Sequence, residues 1–209
     1  MHTSQIKQVF KNLKVNDQIY LEPVSIEHAE AMARCMNHKY VAKQVPTPYP
    51  WNYQDSIDYI QSSSPVFIKN KFKLGMAIMV KDSKSDQFVY QGLIQIMSYR
   101  IPSSVYNEAY DQYRIGYCLD KSVWGKGIAT LCCRKVSEHF LMNDYGIDKI
   151  ETHTQPENLA SQKVLEKSGF KKSGRKITSK KLYDYEKNEL TDRSEDIECD
   201  IWELYRSDL

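Results

Sequence analysis

Trp124-Gly125-Lys126-Gly127-Ile128-Ala129-Thr130 separates two stretches of different period. Before it, Gln112–Leu119 alternates Tyr113, Ile115 and Tyr117 with Arg114, Gly116 and Cys118, as a strand does. After it, Ile128, Cys132, Val136 and Phe140 recur every fourth residue, with Ala129, Cys133 and Leu141 alongside, which predicts an amphipathic helix from Lys126 to about Asn143. Two glycines one residue apart lack a Cβ, so the chain turns tightly and a ligand can approach the backbone. The unpaired N–H groups of the helix's first turn, at the positive end of its dipole, suit a pyrophosphate. A glycine pair before a helix also fits a plain tight turn. Two nucleotide motifs fail here. A P-loop needs Gly, four residues, then Gly-Lys-Ser/Thr, and no such run exists. The dinucleotide fingerprint needs a third Gly or Ala where Thr130 stands, in a first βα turn, whereas this turn follows at least four predicted strands.

Further strands are predicted at Ile19–Pro23, Phe72–Val80, Phe88–Tyr99, Lys149–Thr154, about Phe170–Lys176 and Cys199–Tyr205. Helices are expected from Ser25 to about Asn37, over Gln54–Ser62, and over Glu157–Ser168 with Gly169 as its stop. The Pro-rich stretch 46–51 reads as a rigid loop carrying Tyr49 and Trp51, and 177–198 as a polar excursion. The order β-αα-βββ-α-β-α-ββ is an α/β domain with a mixed sheet. With 209 residues, a single domain over 18–209 is the expectation, preceded by a loose arm over 1–17.

Composition excludes several classes. Hydrophobic residues make up 41% and charged residues 27%, which excludes collagen-like and wholly disordered chains. The longest apolar run, Leu74–Val80, is far short of the roughly 20 residues of a spanning helix. The first fourteen residues carry no apolar core of a signal peptide, so a soluble, cytoplasmic protein is expected. A net charge of +2 gives no ground for a nucleic-acid partner. Cys35, Cys118, Cys132, Cys133 and Cys199 contain no C-x-x-C; free buried thiols are expected, with no disulfide framework and no metal site.

A second constellation follows. Pro156-Glu157-Asn158-Leu159-Ala160-Ser161 leads into Val164-Leu165-Glu166-Lys167-Ser168-Gly169-Phe170. Asn158 and Ser161, three apart, share a face near the helix start. Taken singly, Asn158 reads as an N-cap and Ser161 as a small packing residue. Together with Ile115-Gly116-Tyr117-Cys118-Leu119 and the Trp-Gly-Lys-Gly-x-Ala-Thr turn, the pattern resembles the GNAT superfamily of N-acetyltransferases. The closer likeness is to its RimJ/RimL-like branch, which acetylates ribosomal-protein N-termini. The resemblance spans roughly 18–206.

The resemblance implies a GNAT fold, a mixed sheet of about seven strands flanked by about four helices, with acetyl-CoA as co-substrate. The pyrophosphate would rest on Gly125, Lys126, Gly127, Ile128, Ala129 and Thr130, with Trp124 opening the turn. The pantetheine arm would lie along Tyr117, Cys118 and Leu119, at a bulge that leaves N–H groups unpaired. The Leu119 amide would hold the oxyanion, Asn158 would contact the pantetheine, and Ser161 would be the acid for the departing thiolate. Arg114 stands where relatives often carry an acidic residue, and Leu131 fills another such position. Glu108, Glu151 and His153 remain as candidate bases, each reading first as a surface residue.

The implied activity is transfer of acetyl to a primary amine, with a protein N-terminal α-amine as one acceptor. A small-molecule amine (polyamine, aminoglycoside or amino acid) is the alternative, and a non-catalytic CoA-binding module is another. Lys171, Lys172, Arg175, Lys176, Lys180 and Lys181 could meet an RNA-rich partner or the 3′-phosphate of CoA, and read more simply as a solvated strand edge. Tyr49 and Trp51 could line the acceptor entrance or pack their loop.

Overall fold

The computed structural model describes residues 6–9, 11–44, 47–63, 66–68, 72–101, 110–143, 145–184 and 189–209. In chain order the strands are β1 (Ile6–Val9), β2 (Leu13–Lys14), β3 (Ile19–Pro23), β4 (Val66–Ile68), β5 (Lys73–Lys81), β6 (Phe88–Ile101), β7 (Tyr110–Leu119), β8 (Lys149–Thr154), β9 (Lys171–Asp184) and β10 (Glu189–Tyr205). The α-helices are α1 (Ala29–Met36), α2 (Lys39–Gln44), α3 (Tyr53–Gln61), α4 (Ile128–Met142) and α5 (Leu159–Lys167).

Eight strands form one sheet in the order β2-β3-β5-β6-β7-β8-β10-β9, while β1 and β4 form a separate pair. Every pairing in the large sheet is antiparallel except β7 with β8. The expected mixed α/β architecture is present. Within 1–17, expected as a loose arm, Ile6–Val9 and Leu13–Lys14 are strands. The stretch 177–198, expected as a polar excursion, is largely sheet: β9 and β10 pair over most of their length as a long hairpin. Ladder hydrogen bonds hold these charged, two-sided arms, so the apolar alternation that betrays a half-buried strand is weak in them.

Alternation decides which side chains enter the core. Leu74, Met76 and Ile78 on β5, Ile94 and Ile96 on β6, Ile115 on β7 and Ile150 on β8 all face one side. There they meet Cys132, Val136 and Phe140, the fourfold stripe of α4. On the opposite face Met32 and Met36 of α1 pack with Trp51 and Leu93. Trp51 donates its indole N–H to Ser56 Oγ at 2.8 Å, so it packs its loop and does not line an entrance.

Gly92 sets the tightness of the sheet at its centre. A Cβ there would fall 2.4 Å from the carbonyl oxygen of Cys118, so only glycine lets β6 lie this close to the end of β7. Beside it, Gln91 is an extra residue against β5, between Ile78 and Met79.

All five cysteines are free. Burial pushes the Cys132 and Cys133 thiols up to about 12, so neither ionises at neutral pH. The cations on β9 are engaged with acids. Lys172 and Arg175 reach the buried Asp200 at 2.7 and 3.0 Å, and Lys171 pairs with Asp208. The Lys180 and Lys181 side chains lie outside the described residues, as does Glu108.

Phe140, 1% exposed, stacks on Phe72 with centroids 6.1 Å apart and packs on Tyr145 at 5.0 Å. Phe140→Ala is expected to lower unfolding free energy by about 3–5 kcal/mol in urea titration. Ile177→Ser, at a side chain 72% exposed, should stay within about 0.5 kcal/mol.

Candidate active site

The site begins where the sheet parts. β7 and β8 are paired at Tyr113–Ile150 and Arg114–Glu151 and no further. On its other side β7 runs in unbroken register with β6 from Tyr110 to Leu119, so the bulge expected in β7 is absent and the free backbone arises from separation from β8. The phase of the ladder gives the direction of each amide. Asp120 N–H donates to Gln91 O at 2.8 Å, which makes Leu119–Gly92 and Tyr117–Ile94 non-hydrogen-bonded pairs. The N–H groups of Tyr117 and Leu119 therefore point away from β6, into the gap toward β8. Two side chains occupy carbonyls along that gap: Thr152 Oγ1 donates to Ile115 O at 2.8 Å, and Trp124 Nε1 to Leu119 O at 2.8 Å.

The turn after β7 opens onto the same gap. Gly125 and Gly127 have φ of 74° and 76°, the left-handed region where a side chain is strained. A Cβ on either would meet nothing within 4 Å, so the space over the turn is open. Gly127 is the N-cap of α4, and no side chain caps the helix. The first-turn amides of Ile128, Ala129 and Thr130 thus lack both intrahelical and capping partners. This fits a diphosphate held by main-chain N–H groups.

Across the gap, Asn158 caps α5, its Oδ1 accepting Ser161 N–H at 3.2 Å. Asn158 Oδ1 also accepts from Tyr40 Oη at 3.5 Å. The rings of His38 and Tyr40 lie 5.9 and 5.5 Å from that of Trp124. Tyr117 Oη lies 2.9 Å from Ser161 Oγ. Burial pushes the Tyr117 phenol well above its ordinary value, against the hydrogen bond of Ser161, so it stays protonated.

A profile of the acetyltransferase (GNAT) domain matches residues 18–171. The chain belongs to the GNAT acetyltransferase family. A probable N-acetyltransferase of Bacillus subtilis, YjcK, is 45% identical over 60 residues, 29% of this chain and 33% of that protein. The match therefore spans about a third of that relative's length. Among solved structures, a GNAT acetyltransferase from Bacillus anthracis superposes with a TM-score of 0.65 at 16% identity, covering 94% of this chain and 99% of the other. Mycobacterium smegmatis RimJ, in complex with CoA-disulfide, superposes with a TM-score of 0.63 at 18% identity, covering 91% and 83%. At these identities the structural likeness is one of fold.

In this GNAT domain the residues expected from sequence fall around one gap: Tyr117, Cys118 and Leu119 on its wall, Trp124 to Thr130 at one end, Asn158 and Ser161 across it. Sequence reading missed His38 and Tyr40, which carry no period or motif. It also took Glu151 and His153 for surface residues. Glu151 is 6% exposed, with His153 Nε2 at 2.6 Å from its Oε1. Their spacing of two on a strand, which puts both on one face, is the signal that could have paired them.

Gly127→Val should cost about 1–2 kcal/mol of stability through its positive φ. CoA affinity, read by calorimetry, should fall by about 100-fold or more, because the new side chain fills space over the amides.

Proposed function

We propose that the protein moves an acetyl group from acetyl-CoA to a primary amine. The observation that carries this reading is the parting of β7 from β8 beside an uncapped helix N-terminus. The amides of Gly125 to Thr130 would hold the diphosphate, and Tyr117, Cys118 and Leu119 would flank the pantetheine. Asn158 has its carboxamide N–H groups to offer the same arm. Acetyl-CoA supplies a thioester whose carbonyl carbon the amine attacks. Leu119 N–H, aimed into the gap, would donate to the carbonyl oxygen as negative charge builds there. Ser161 Oγ, hydrogen-bonded to a phenol that stays protonated, would supply a proton to the departing sulfur.

Charge supports an acceptor that is not a polycation. The sheet face that carries Glu151 and Glu203 also carries Arg114, Lys149 and Lys176. Lys149 bonds Glu203 and lies 3.7 Å from Glu151, and Lys176 lies 3.7 Å from Glu151. These carboxylates are already compensated, whereas a polyamine or an aminoglycoside calls for acidic groups left over. A protein or peptide N-terminal α-amine fits this balance, and its pKa of about 7.7–8.0 lets it lose a proton easily.

Free thiol release from acetyl-CoA, measured over N-terminal peptides, amino acids, polyamines and aminoglycosides, tests this. Turnover with peptides and little with polycations is expected. Acetyl-CoA binding without turnover on any acceptor would leave a binding module. Ser161→Ala should lower kcat by less than about tenfold with acetyl-CoA affinity unchanged, since a thiol of pKa about 8.5 leaves with little help.

A further inference from the structure

Sequence leaves the base of this reaction open, and the face of the sheet opposite α4 carries a candidate. Lys149, Glu151 and His153 alternate with the core residue Ile150 along β8, so the three share the other face. His153 stands two residues past the last residue of β8 that pairs with β7, where the strand has left β7 while still pairing with β10. Gly116, at the corresponding place on β7, bears no side chain. The His153 side chain is 12% exposed, so it is shielded without being sealed.

Its neighbours fix the ring. Nε2 lies 2.6 Å from Glu151 Oε1. Glu151 lies 3.7 Å from both Lys149 Nζ and Lys176 Nζ; its burial is outweighed by the His153 hydrogen bond, by Lys176 and by a hydrogen bond from Gln112, which hold its carboxyl well below the usual range. A carboxylate this firmly ionised is a poor base at neutral pH. It accepts instead, so the ring proton sits on Nε2 and the lone pair on Nδ1.

We infer that His153, oriented through Nε2 by Glu151, is the general base that takes the proton from the acceptor's ammonium at Nδ1. This rests on the acetyl-transfer reading above. The proton passes from nitrogen to Nδ1 and on to solvent. The freed amine forms the C–N bond as the thioester C–S bond breaks. The second nitrogen proton reaches the sulfur through the Tyr117 and Ser161 hydroxyls, and no oxidant or further reactant is needed. Glu151 is a positioning residue.

The charges facing His153 are Glu151 on its own strand, Arg114 on β7 and Lys176 on β9. Burial first, then Arg114 and Lys176, push the imidazole below its ordinary value, while Glu151 opposes them. The ring is therefore neutral and ready to accept at pH 7, and kcat/KM should fall along an acid limb that lies below the ordinary imidazole range.

The test is a pH profile of thiol release with a peptide acceptor, beside NMR of the histidine rings in the CoA-free protein. His153→Gln should lower kcat about 100-fold or more near pH 7 and abolish the acid limb. The deficit should shrink above the acceptor's own pKa, where the amine arrives unprotonated; loss of a packing contact would not behave this way. Lys176→Met, which keeps the ring, should move the limb to higher pH, and Glu151→Gln to lower pH. The resonance lost in His153→Gln should report Nε2–H and a bare Nδ1. An unchanged acid limb in His153→Gln, a limb unmoved by Lys176→Met, or a ring protonated on Nδ1 overturns the inference. If the wild type binds acetyl-CoA yet acetylates nothing, the acetyl-transfer reading fails; if it turns over and the limb survives in His153→Gln, only the base assignment fails.

Discussion

Backbone N–H and C=O groups inside a sheet need partners, and at the middle of this sheet two strands stop supplying them. Beyond Arg114 and Glu151 the parallel pairing of β7 with β8 ends. The carbonyls left over are partly taken by local donors, Thr152 at Ile115 and Trp124 at Leu119. The amides of Tyr117 and Leu119 face the opening. A sheet that is continuous elsewhere thus carries a slot lined by donors at its centre, and the fold around it keeps that slot in place. Gly92 lets β6 press against the end of β7, so the wall bearing Leu119 is braced from behind. α4 starts where this wall ends, which places its uncapped amides at the slot's mouth.

The two faces of the slot differ in chemistry. On the α4 side the Tyr117 and Ser161 hydroxyls are hydrogen-bonded, and buried Cys132 and Cys133 are inert packing. On the other side ionised groups run in a ladder from β7 to β9. Under the proposed reaction, donors for the diphosphate and thioester would lie on one side, and the Glu151–His153 pair that would take the ammonium proton on the other. An acyl thioester threaded through the slot would meet an amine coming from the opposite face.

Much of this was legible in the sequence where residue type and backbone geometry coincide. Gly125 and Gly127 announced a turn with room above it, because only glycine takes a positive φ without strain. The fourfold stripe of α4 and the alternation of Ile115 with Gly116 fixed which faces meet in the core. Other features had no such signature. α2 is six residues long, too short for a period, so Tyr40 and its contact with Asn158 were invisible. The β9–β10 hairpin looked like loop because its stability lies in ladder hydrogen bonds and ion pairs such as Arg175 with Asp200. Glu151 and His153 looked superficial because charged residues rarely lie buried unless paired, and the pairing is tertiary.

Amide hydrogen exchange with and without acetyl-CoA tests the central claim most directly, since that claim concerns main-chain N–H groups. Slowed exchange concentrated at Leu119 and at Gly127 to Thr130, with little change on β3 and β5, is the result this account predicts. Unchanged exchange at those amides under saturating acetyl-CoA, with protection elsewhere, would contradict it.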